Sequence, residues 1–128
     1  MIKGAVAVIF DREGRVLLLL RPKKDRWMPS KWALVGGKLD KGETPEQALR
    51  REVAEETTLQ IKSPIEFYTS KNGEVIYFIV KSYDGNVCID YEHDDFAWVY
   101  PEELTNYDVV PGLIARVWRA REMLVYYA

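Results

Sequence analysis

The feature that most constrains the fold of this sequence is a strong helix start at Thr44. Thr44 is suited to an N-cap, Pro45 follows at the first helical position, and Gln47 completes the sequence of a capping box. No Gly or Pro interrupts the chain between there and Thr57, so the sequence predicts a helix that ends near Thr57. Apolar and β-branched runs lie on both sides of it, so the fold must pack this helix against strands.

Those runs predict two hairpins and several shorter elements. Residues 2–10 and 15–21 flank a turn at Asp11 to Gly14, and residues 61–69 and 74–82 flank Asn72-Gly73, a dipeptide favoured in two-residue hairpin turns. The remaining predicted elements are a strand at 32–35 that ends at Gly36-Gly37, a strand at 96–100, a helical turn at 101–104 and a terminal amphipathic helix at 111–126, which carries Leu113, Ile114, Val117, Trp118 and Leu124 on one side. We therefore expect an α+β fold with a mixed sheet between helices, in one domain spanning residues 1–128.

Charge and cysteine content narrow the class of protein. The chain has 128 residues and a net charge of −2, which argues against a stable nucleic-acid partner because such domains usually carry a basic excess. The single cysteine, Cys88, excludes an internal disulfide and fits a reducing compartment; we expect it to be a small buried apolar residue. No apolar run reaches the ~18 residues that span a bilayer, and no cleavable leader is apparent. A cytoplasmic protein without a membrane segment is the expectation.

The distribution of charge is more informative than its sum. No Lys or Arg occurs between Lys81 and Arg116, although the stretch is rich in Asp and Glu. Such an acidic region needs cations nearby. His93 lies among these acids, and we expect it at the surface rather than in a catalytic role.

Three glutamates fall on one face of the predicted helix. Glu52, Glu55 and Glu56 are spaced i, i+3 and i+4, and each like-charged pair at this spacing costs an isolated helix roughly 0.2 to 0.5 kcal/mol. A bound divalent cation removes that cost, and Mg²⁺ prefers such oxygen ligands. A solvated acidic face is the alternative, but Gly36-Gly37 nearby allows the backbone to approach a ligand closely. The face therefore indicates metal-assisted phosphate chemistry.

Residues 37–59, GKLDKGETPEQALRREVAEETTL, resemble the Nudix box. That pattern is Gly, five residues, Glu, seven residues, Arg-Glu, an aliphatic, one residue, Glu-Glu, one residue, Gly and a final aliphatic. The matching residues are Gly37, Glu43, Arg51, Glu52, Val53, Glu55, Glu56 and Leu59. Thr58 departs from the pattern by replacing its second glycine. Because a β-branched residue is strained at positive φ, we expect the helix to end differently from that of the family.

The resemblance implies an α/β/α sandwich and an enzyme that cleaves a nucleoside diphosphate linked to another group, with Mg²⁺ or Mn²⁺. By position in the box, Glu52, Glu55 and Glu56 would hold the metal, with Gly37 at the metal site and Arg51 and Glu43 orienting the carboxylates. Family members often add an acidic residue from beyond the box as a ligand or base. Glu92 is the candidate here, and Asp94 and Asp95 are the neighbours that could replace it.

Substrate choice stays open between classes. Nucleoside triphosphates are slightly preferred for a chain without an extra domain, whereas Tyr77, eighteen residues beyond Leu59, mildly favours dinucleoside polyphosphates by resemblance. ADP-ribose or a nucleotide sugar is a further alternative. A module that senses a nucleotide without cutting it is the rival of another class, although all box glutamates are retained. Messenger RNA decapping has only the cluster of basic residues at 23–26 for support.

Other residues near the box are candidate substrate contacts. Arg21 and Lys38 are the preferred phosphate-binding cations. Several strand and loop aromatic residues could stack a base, but core packing is the commoner role, so no base pocket is named: Trp27, Trp32, Tyr77, Phe78 and Tyr83. One face of the helix that carries Trp118 is a candidate homodimer interface.

Overall fold

The computed structural model describes residues 1–127, and it contains nine strands, two α-helices and one 3₁₀ helix. The strands are β1 (Gly4–Ile9), β2 (Val16–Leu20), β3 (Trp32–Ala33), β4 (Val35–Lys38), β5 (Gln60–Lys62), β6 (Ile65–Thr69), β7 (Val75–Val80), β8 (Ser82–Asp84) and β9 (Asp95–Val99). The helices are α1 (Pro45–Thr57) and α2 (Leu113–Tyr127), with the 3₁₀ helix at Pro101–Asn106. The predicted helices at the box and at the chain end are therefore both present.

A mixed four-stranded sheet organises the fold. Its strand order is β4-β1-β7-β6, with β1 antiparallel to β4 and parallel to β7. Strands β3, β2 and β9 form a second, antiparallel sheet, and β5 pairs with β8. The mixed sheet confirms the predicted α+β class.

The two helices cover opposite faces of the mixed sheet. Successive side chains of a strand point to opposite faces, and in β1 Ala5 and Ala7 belong to one buried cluster whereas Val8 belongs to the other. The first cluster contains the apolar side of α1, including Leu49, and the second contains that of α2, including Val117. This arrangement confirms the α/β/α layering. Of the five residues predicted on one side of this helix, only Trp118 lies outside the second cluster, and 37% of its surface is exposed.

The first predicted hairpin was wrong in its pairing. The turn at Asp11 forms, with the Asp11 N–H donating to the Arg15 carbonyl at 2.9 Å, but only a single bridge, Phe10 to Val16, joins the two arms. Beyond that bridge β1 pairs with β4 and β7, while β2 pairs with β3 and β9. Each strand pairs over more residues with strands elsewhere in the chain than with the other arm, which a local pattern does not reveal.

The second predicted hairpin forms and continues further than expected. Strands β6 and β7 pair on either side of a loop that contains Gly73, and β5 and β8 extend the same antiparallel course. The loop closes with the Ser70 N–H donating to the Val75 carbonyl, so it is longer than the two-residue turn expected of Asn72-Gly73. Ser63, at φ 47°, separates β5 from β6.

The predicted strand at 32–35 divides at Leu34, and the two glycines lie inside β4 rather than after a strand. Gly36 pairs with Val6 of β1 so closely that a Cβ there would lie 2.3 Å from the Ala5 carbonyl oxygen, and its φ is 155°. Only glycine fits this position.

The end of α1 also differs from expectation. Thr58 adopts the left-handed conformation at φ 66° and caps the helix through its N–H to the Ala54 carbonyl, so the helix ends at positive φ despite the β-branched residue. The Thr58 hydroxyl donates to the Asn86 carbonyl at 2.8 Å, a bond that offsets part of the strain.

Two further expectations concerned single residues, and both were wrong. Cys88 is exposed, because it lies in the loop after β8 rather than in the core. His93 is largely buried, with 9% of its side chain exposed and its Nδ1 2.7 Å from an Asp90 carboxylate oxygen. Among residues 1–127 no helix is long and apolar enough to cross a membrane.

Candidate active site

Helix α1 is fixed at its start and along its inner face. Thr44 accepts a hydrogen bond from the Gln47 N–H at 3.2 Å, and the Gln47 side chain accepts one from the Thr44 N–H at 2.9 Å. Leu49 and Val53 are fully buried against the sheet. A helix held at both places presents Glu52 and Glu56, one turn apart, toward β4.

Glu56 is the most deeply buried carboxylate of the site. It is 9% exposed, and one of its oxygens accepts a hydrogen bond from the Gly36 N–H at 3.0 Å. Burial raises its pKa to about 8; that hydrogen bond opposes the rise, while the charges of Glu52, Asp90 and Glu92 add to it. Asp90 and the candidate Glu92 both lie in the loop before β9, so this loop adds to the rise in the pKa of Glu56.

Glu52 lies against the next glycine of the same strand. Its side chain is 17% exposed, and a Cβ added at Gly37 would lie 2.6 Å from its carboxyl carbon. Burial raises the pKa of Glu52, and its hydrogen bond with Arg51 counteracts that shift. Gly37 therefore leaves room for the Glu52 carboxylate at the strand, while the backbone N–H of Gly36 holds that of Glu56.

Arg51 connects the carboxylates on the outer side of the helix. Its guanidinium donates two hydrogen bonds to Glu43, at 2.8 and 2.9 Å, one to Glu52 at 2.9 Å, and one to the Lys38 carbonyl at 3.0 Å. The paired arginine lowers the pKa of Glu43 to about 2, and the Asp40 N–H also contributes. Glu43 thus stays ionised and holds Arg51 in place.

Glu55 differs from the other two box glutamates. Its side chain is 58% exposed and makes a longer contact, 3.3 Å, with Arg51. Within residues 1–127 no three His, Cys, Asp or Glu side chains are gathered so that they could hold a metal ion. The structure therefore brings Glu52 and Glu56 to the strand glycines but does not bring Glu55 into a common cluster with them.

The donor set nevertheless fits a hard divalent cation. Two largely buried carboxylates, each with a raised pKa, are costly together without a compensating charge. Mg²⁺ usually takes only one or two protein carboxylates and keeps water and substrate phosphates as its other ligands. Glu52 and Glu56 satisfy that requirement without a third carboxylate.

A cavity of about 530 Å³ lies beside Glu56, and Glu92, His93 and Arg21 share its lining. Glu92 is thus the residue beyond the box that the structure places at the site. Asp94 instead donates its N–H to the Leu20 carbonyl, and Asp95 begins β9. The sequence predicted His93 at the surface instead, because nothing in its local pattern indicates the pairing with Asp90.

A second cavity, of about 660 Å³, opens on the α2 side of the sheet. Gly36, Gly37 and Lys38 form one part of its wall, and Arg21 lies on both cavities. Arg21 donates to the Trp27 carbonyl at 2.9 Å and to Asp25 at 2.7 Å. Both predicted phosphate-binding cations thus lie on this cavity.

The lining of this larger cavity also contains aromatic and basic residues that the sequence did not single out as a pocket. Trp27, 56% exposed, and Tyr77 both line it, as does Arg116 of α2. The other candidate aromatic residues pack elsewhere: Trp32 against Tyr107, Tyr83 against Trp98, and Phe78 in the core. Arg116 is the first basic residue after the acidic stretch, and nothing in the sequence indicated that its side chain lines this cavity.

A family model described as the NUDIX domain matches residues 2–118, so the chain belongs to the Nudix family. It is an enzyme, a pyrophosphohydrolase of the Nudix type. The chain is 34% identical to a protein named nucleoside triphosphatase NudI from Salmonella agona, in an alignment covering 81% of this chain and 86% of that protein.

Solved structures agree with this assignment. The MutT protein from Methanosarcina mazei is 26% identical with a TM-score of 0.74, covering 95% of this chain and 94% of that one. The E. coli ORF135 protein is also 26% identical, with a TM-score of 0.72, covering 96% of this chain and 90% of that one. The similarity extends over nearly the whole fold described above.

Proposed function

We propose that this enzyme hydrolyses nucleoside triphosphates at a phosphoanhydride bond, using Mg²⁺ or Mn²⁺. The observation that carries the proposal is the pair of buried carboxylates, Glu52 and Glu56, beside the glycines of β4 and next to a cavity large enough for a nucleotide. The relative from Salmonella agona, whose name describes a nucleoside triphosphatase, supports this substrate class.

Glu52 and Glu56 would hold the metal, with Glu55, Gly37 and Glu92 as the further metal-site residues that the resemblance implies. A bound divalent cation supplies charge neutralisation at the phosphates and makes a bound water more acidic. One of the box glutamates or Glu92 accepts the proton of the attacking water as the new oxygen–phosphorus bond forms, while the phosphoanhydride bond breaks and the phosphate or pyrophosphate leaves with its bonding electrons.

The remaining polar residues orient these groups and the substrate. Arg51, held by Glu43, fixes the Glu52 carboxylate through its 2.9 Å hydrogen bond. Arg21 and Lys38 bind substrate phosphates, because both lie on the cavity that adjoins the β4 glycines.

One observation favours a second substrate class. Tyr77 lines the larger cavity, and by resemblance a tyrosine near this position suggests dinucleoside polyphosphates. These compounds therefore belong in the same assay.

The wider setting of the enzyme is also a proposal. Residues 1–128 act as one domain in the cytoplasm, on a small nucleotide rather than a nucleic acid, which the single cysteine and the net charge of −2 support. Trp118, half-exposed on α2, marks the candidate homodimer face. Sedimentation of the purified chain tests that last point directly.

The test is release of phosphate or pyrophosphate from a panel of nucleoside triphosphates, dinucleoside polyphosphates, ADP-ribose and nucleotide sugars, with Mg²⁺ or Mn²⁺. Glu56→Gln is the active-site variant, and Glu46→Gln is its control, because Glu46 is exposed on the same helix and pairs only with Arg50 among the described ion pairs. We expect triphosphates to be the best substrates and Glu56→Gln alone to lose turnover. Nucleotide binding without turnover of any compound would instead support the sensing module.

A further inference from the structure

Arg116 of α2 lines the larger cavity and contacts two tyrosine rings. Its guanidinium carbon lies 3.8 Å from the ring centre of Tyr68 and 5.0 Å from that of Tyr77, a geometry typical of cation–π contacts. Its Nε is buried and has no hydrogen-bond partner. No ion pair among residues 1–127 includes Arg116, in contrast to Arg51 and Arg21.

An arginine in this condition retains unused donors. The guanidinium is always protonated, carries five N–H donors in a planar fork and accepts nothing. Stacking on two tyrosine rings fixes the plane of the fork but satisfies none of those donors, and a buried donor left unpaired is costly. Arg116 also lines the cavity, so a ligand there can accept hydrogen bonds from the terminal N–H groups of the fork, although the Nε itself is covered.

The strand register relates the glycines of β4 to Tyr77, one of the rings beside Arg116. Val6 of β1 pairs with Gly36 on one side and with Tyr77 on the other, so the three residues form a row across three strands. Neighbouring strands lie about 4.8 Å apart, which puts Tyr77 about 10 Å from Gly36. Gly36 holds Glu56, and Tyr77 adjoins Arg116, so the row runs from the phosphate side to Arg116.

The wall around Arg116 favours a nucleobase over a further phosphate. Apolar residues, among them Val6, Leu34 and Leu113, share the lining of this cavity with Arg116, and such surfaces suit the flat face of a base. Arg21 and Lys38 already serve the phosphate side. Because the Arg116 guanidinium can only donate hydrogen bonds, a base bound beside it must offer an acceptor on its edge.

We propose that Arg116 is a specificity residue that selects bases with an oxo group on the edge facing it, either 6-oxopurines or 4-oxopyrimidines, over the corresponding amino bases. An amino group at that edge presents N–H donors to a donor, whereas an oxo group accepts from the fork, as arginine does with base edges in nucleic acids. This proposal deepens the proposed function, because it names the nucleotides that the same site prefers.

The experiment measures binding, so that it does not depend on turnover. Dissociation constants are determined by calorimetry, with Mg²⁺ present, for two matched pairs that differ at this edge of the base: dIMP against dAMP, and dUMP against dCMP. The pair that binds more tightly shows whether the cavity accepts a purine or a pyrimidine. The preference for the oxo member is then evaluated on that pair, called the scored pair below. The wild-type enzyme should bind the oxo member at least about ten-fold more tightly.

Three variants separate recognition from packing. Arg116→Met should bring the two members of the scored pair within about three-fold of each other. Arg116→Lys keeps the positive charge over the tyrosine rings but lacks the fork, and it should also lose the preference while unfolding near the wild-type temperature. Arg119→Met changes an exposed arginine of the same helix and should retain the wild-type preference.

Several results would overturn the proposal: equal binding of both members by the wild-type enzyme, a preference that survives in both Arg116 variants, or no binding of either pair. An equal loss of affinity for both members in both variants would reduce Arg116 to a packing role and also overturn it. Failure of the hydrolysis panel with the binding preference intact would refute the proposed function and leave this assignment standing.

Discussion

Replacing Gly37 by alanine should impair turnover while leaving the fold intact. The added Cβ would lie 2.6 Å from the Glu52 carboxyl carbon, whereas an ordinary contact begins near 3.4 Å. The carboxylate must therefore retreat by 3.4 − 2.6 = 0.8 Å. Because Glu52 is the flexible end of a side chain, it can move without displacing the backbone, and we expect the free energy of unfolding to change by less than about 1 kcal/mol.

The catalytic cost should be much larger than the structural one. A misplacement of about 1 Å at reacting groups costs on the order of 100-fold in rate, so kcat of the Gly37→Ala enzyme should fall roughly 10- to 100-fold. Steady-state hydrolysis of the best triphosphate from the panel measures this, with urea unfolding as the stability measurement. The substitution tests whether the close approach of Glu52 to β4 matters for chemistry.

Gly4→Ala is the matched control. Gly4 lies on the neighbouring strand, opposite Lys38, and its added Cβ would meet only the Gly37 carbonyl at 3.3 Å and the Val75 side chain at 3.6 Å. It should retain turnover within about three-fold of wild type, because the predicted rate loss depends on displacing the carboxylate. Wild-type kcat in Gly37→Ala, or an equal loss in Gly4→Ala, would refute the reasoning.

Three other predictions concern the helix end and the charges. Thr58→Ala keeps the residue at positive φ and loses the hydrogen bond to Asn86, whereas Thr58→Gly loses the same bond but relieves the backbone strain. In urea unfolding the glycine variant should therefore be more stable than the alanine variant by about 1 kcal/mol. Equal stabilities of the two variants would contradict this. Burial raises the folded-state pKa of Glu56 from its ordinary value of 4.5 to about 8. The folded state thus binds more protons between these values, and without divalent metal the free energy of unfolding should fall as pH rises from about 5 to 8; an unchanged slope in Glu56→Gln would disprove the assignment. Glu43→Gln removes the charge that holds Arg51 and should lower kcat about ten-fold, which initial rates at saturating substrate would check.

Local elements of this fold were predictable because their signals are local. The capping box at Thr44 and the uninterrupted chain to Thr57 predicted α1 at its observed position, since N-cap hydrogen bonds join residues three apart. The spacing of Glu52 and Glu56 by one helical turn likewise predicted that they share a face. The loop glycine Gly73 correctly marked the second hairpin, although not its length.

Pairing between distant segments could not be predicted in the same way. The choice of β4 and β7 as partners of β1 depends on burial across the whole sheet, and nothing near Phe10 or Val16 indicates that their arms separate. The same reason explains Arg116, whose position beside Tyr68 and Tyr77 joins segments remote in sequence.

The prediction for the end of α1 at Thr58 was wrong for a different reason. The intrinsic cost of a β-branched residue at positive φ predicted another helix end, yet the tertiary hydrogen bond to Asn86 accompanies the strained conformation. Exposed Cys88 and buried His93 likewise reversed expectations based on average behaviour of their residue types. Average preferences decide such single positions poorly because a few specific contacts outweigh them.

Mn²⁺ binding is the most direct test of the central claim that Glu52 and Glu56 hold the catalytic metal. Electron paramagnetic resonance of free Mn²⁺ gives its dissociation constant for the wild-type enzyme, Glu52→Gln, Glu56→Gln and the exposed control Glu46→Gln. The account predicts at least ten-fold weaker binding in the first two variants and no change in the control. Wild-type affinity in both Glu52→Gln and Glu56→Gln would contradict it.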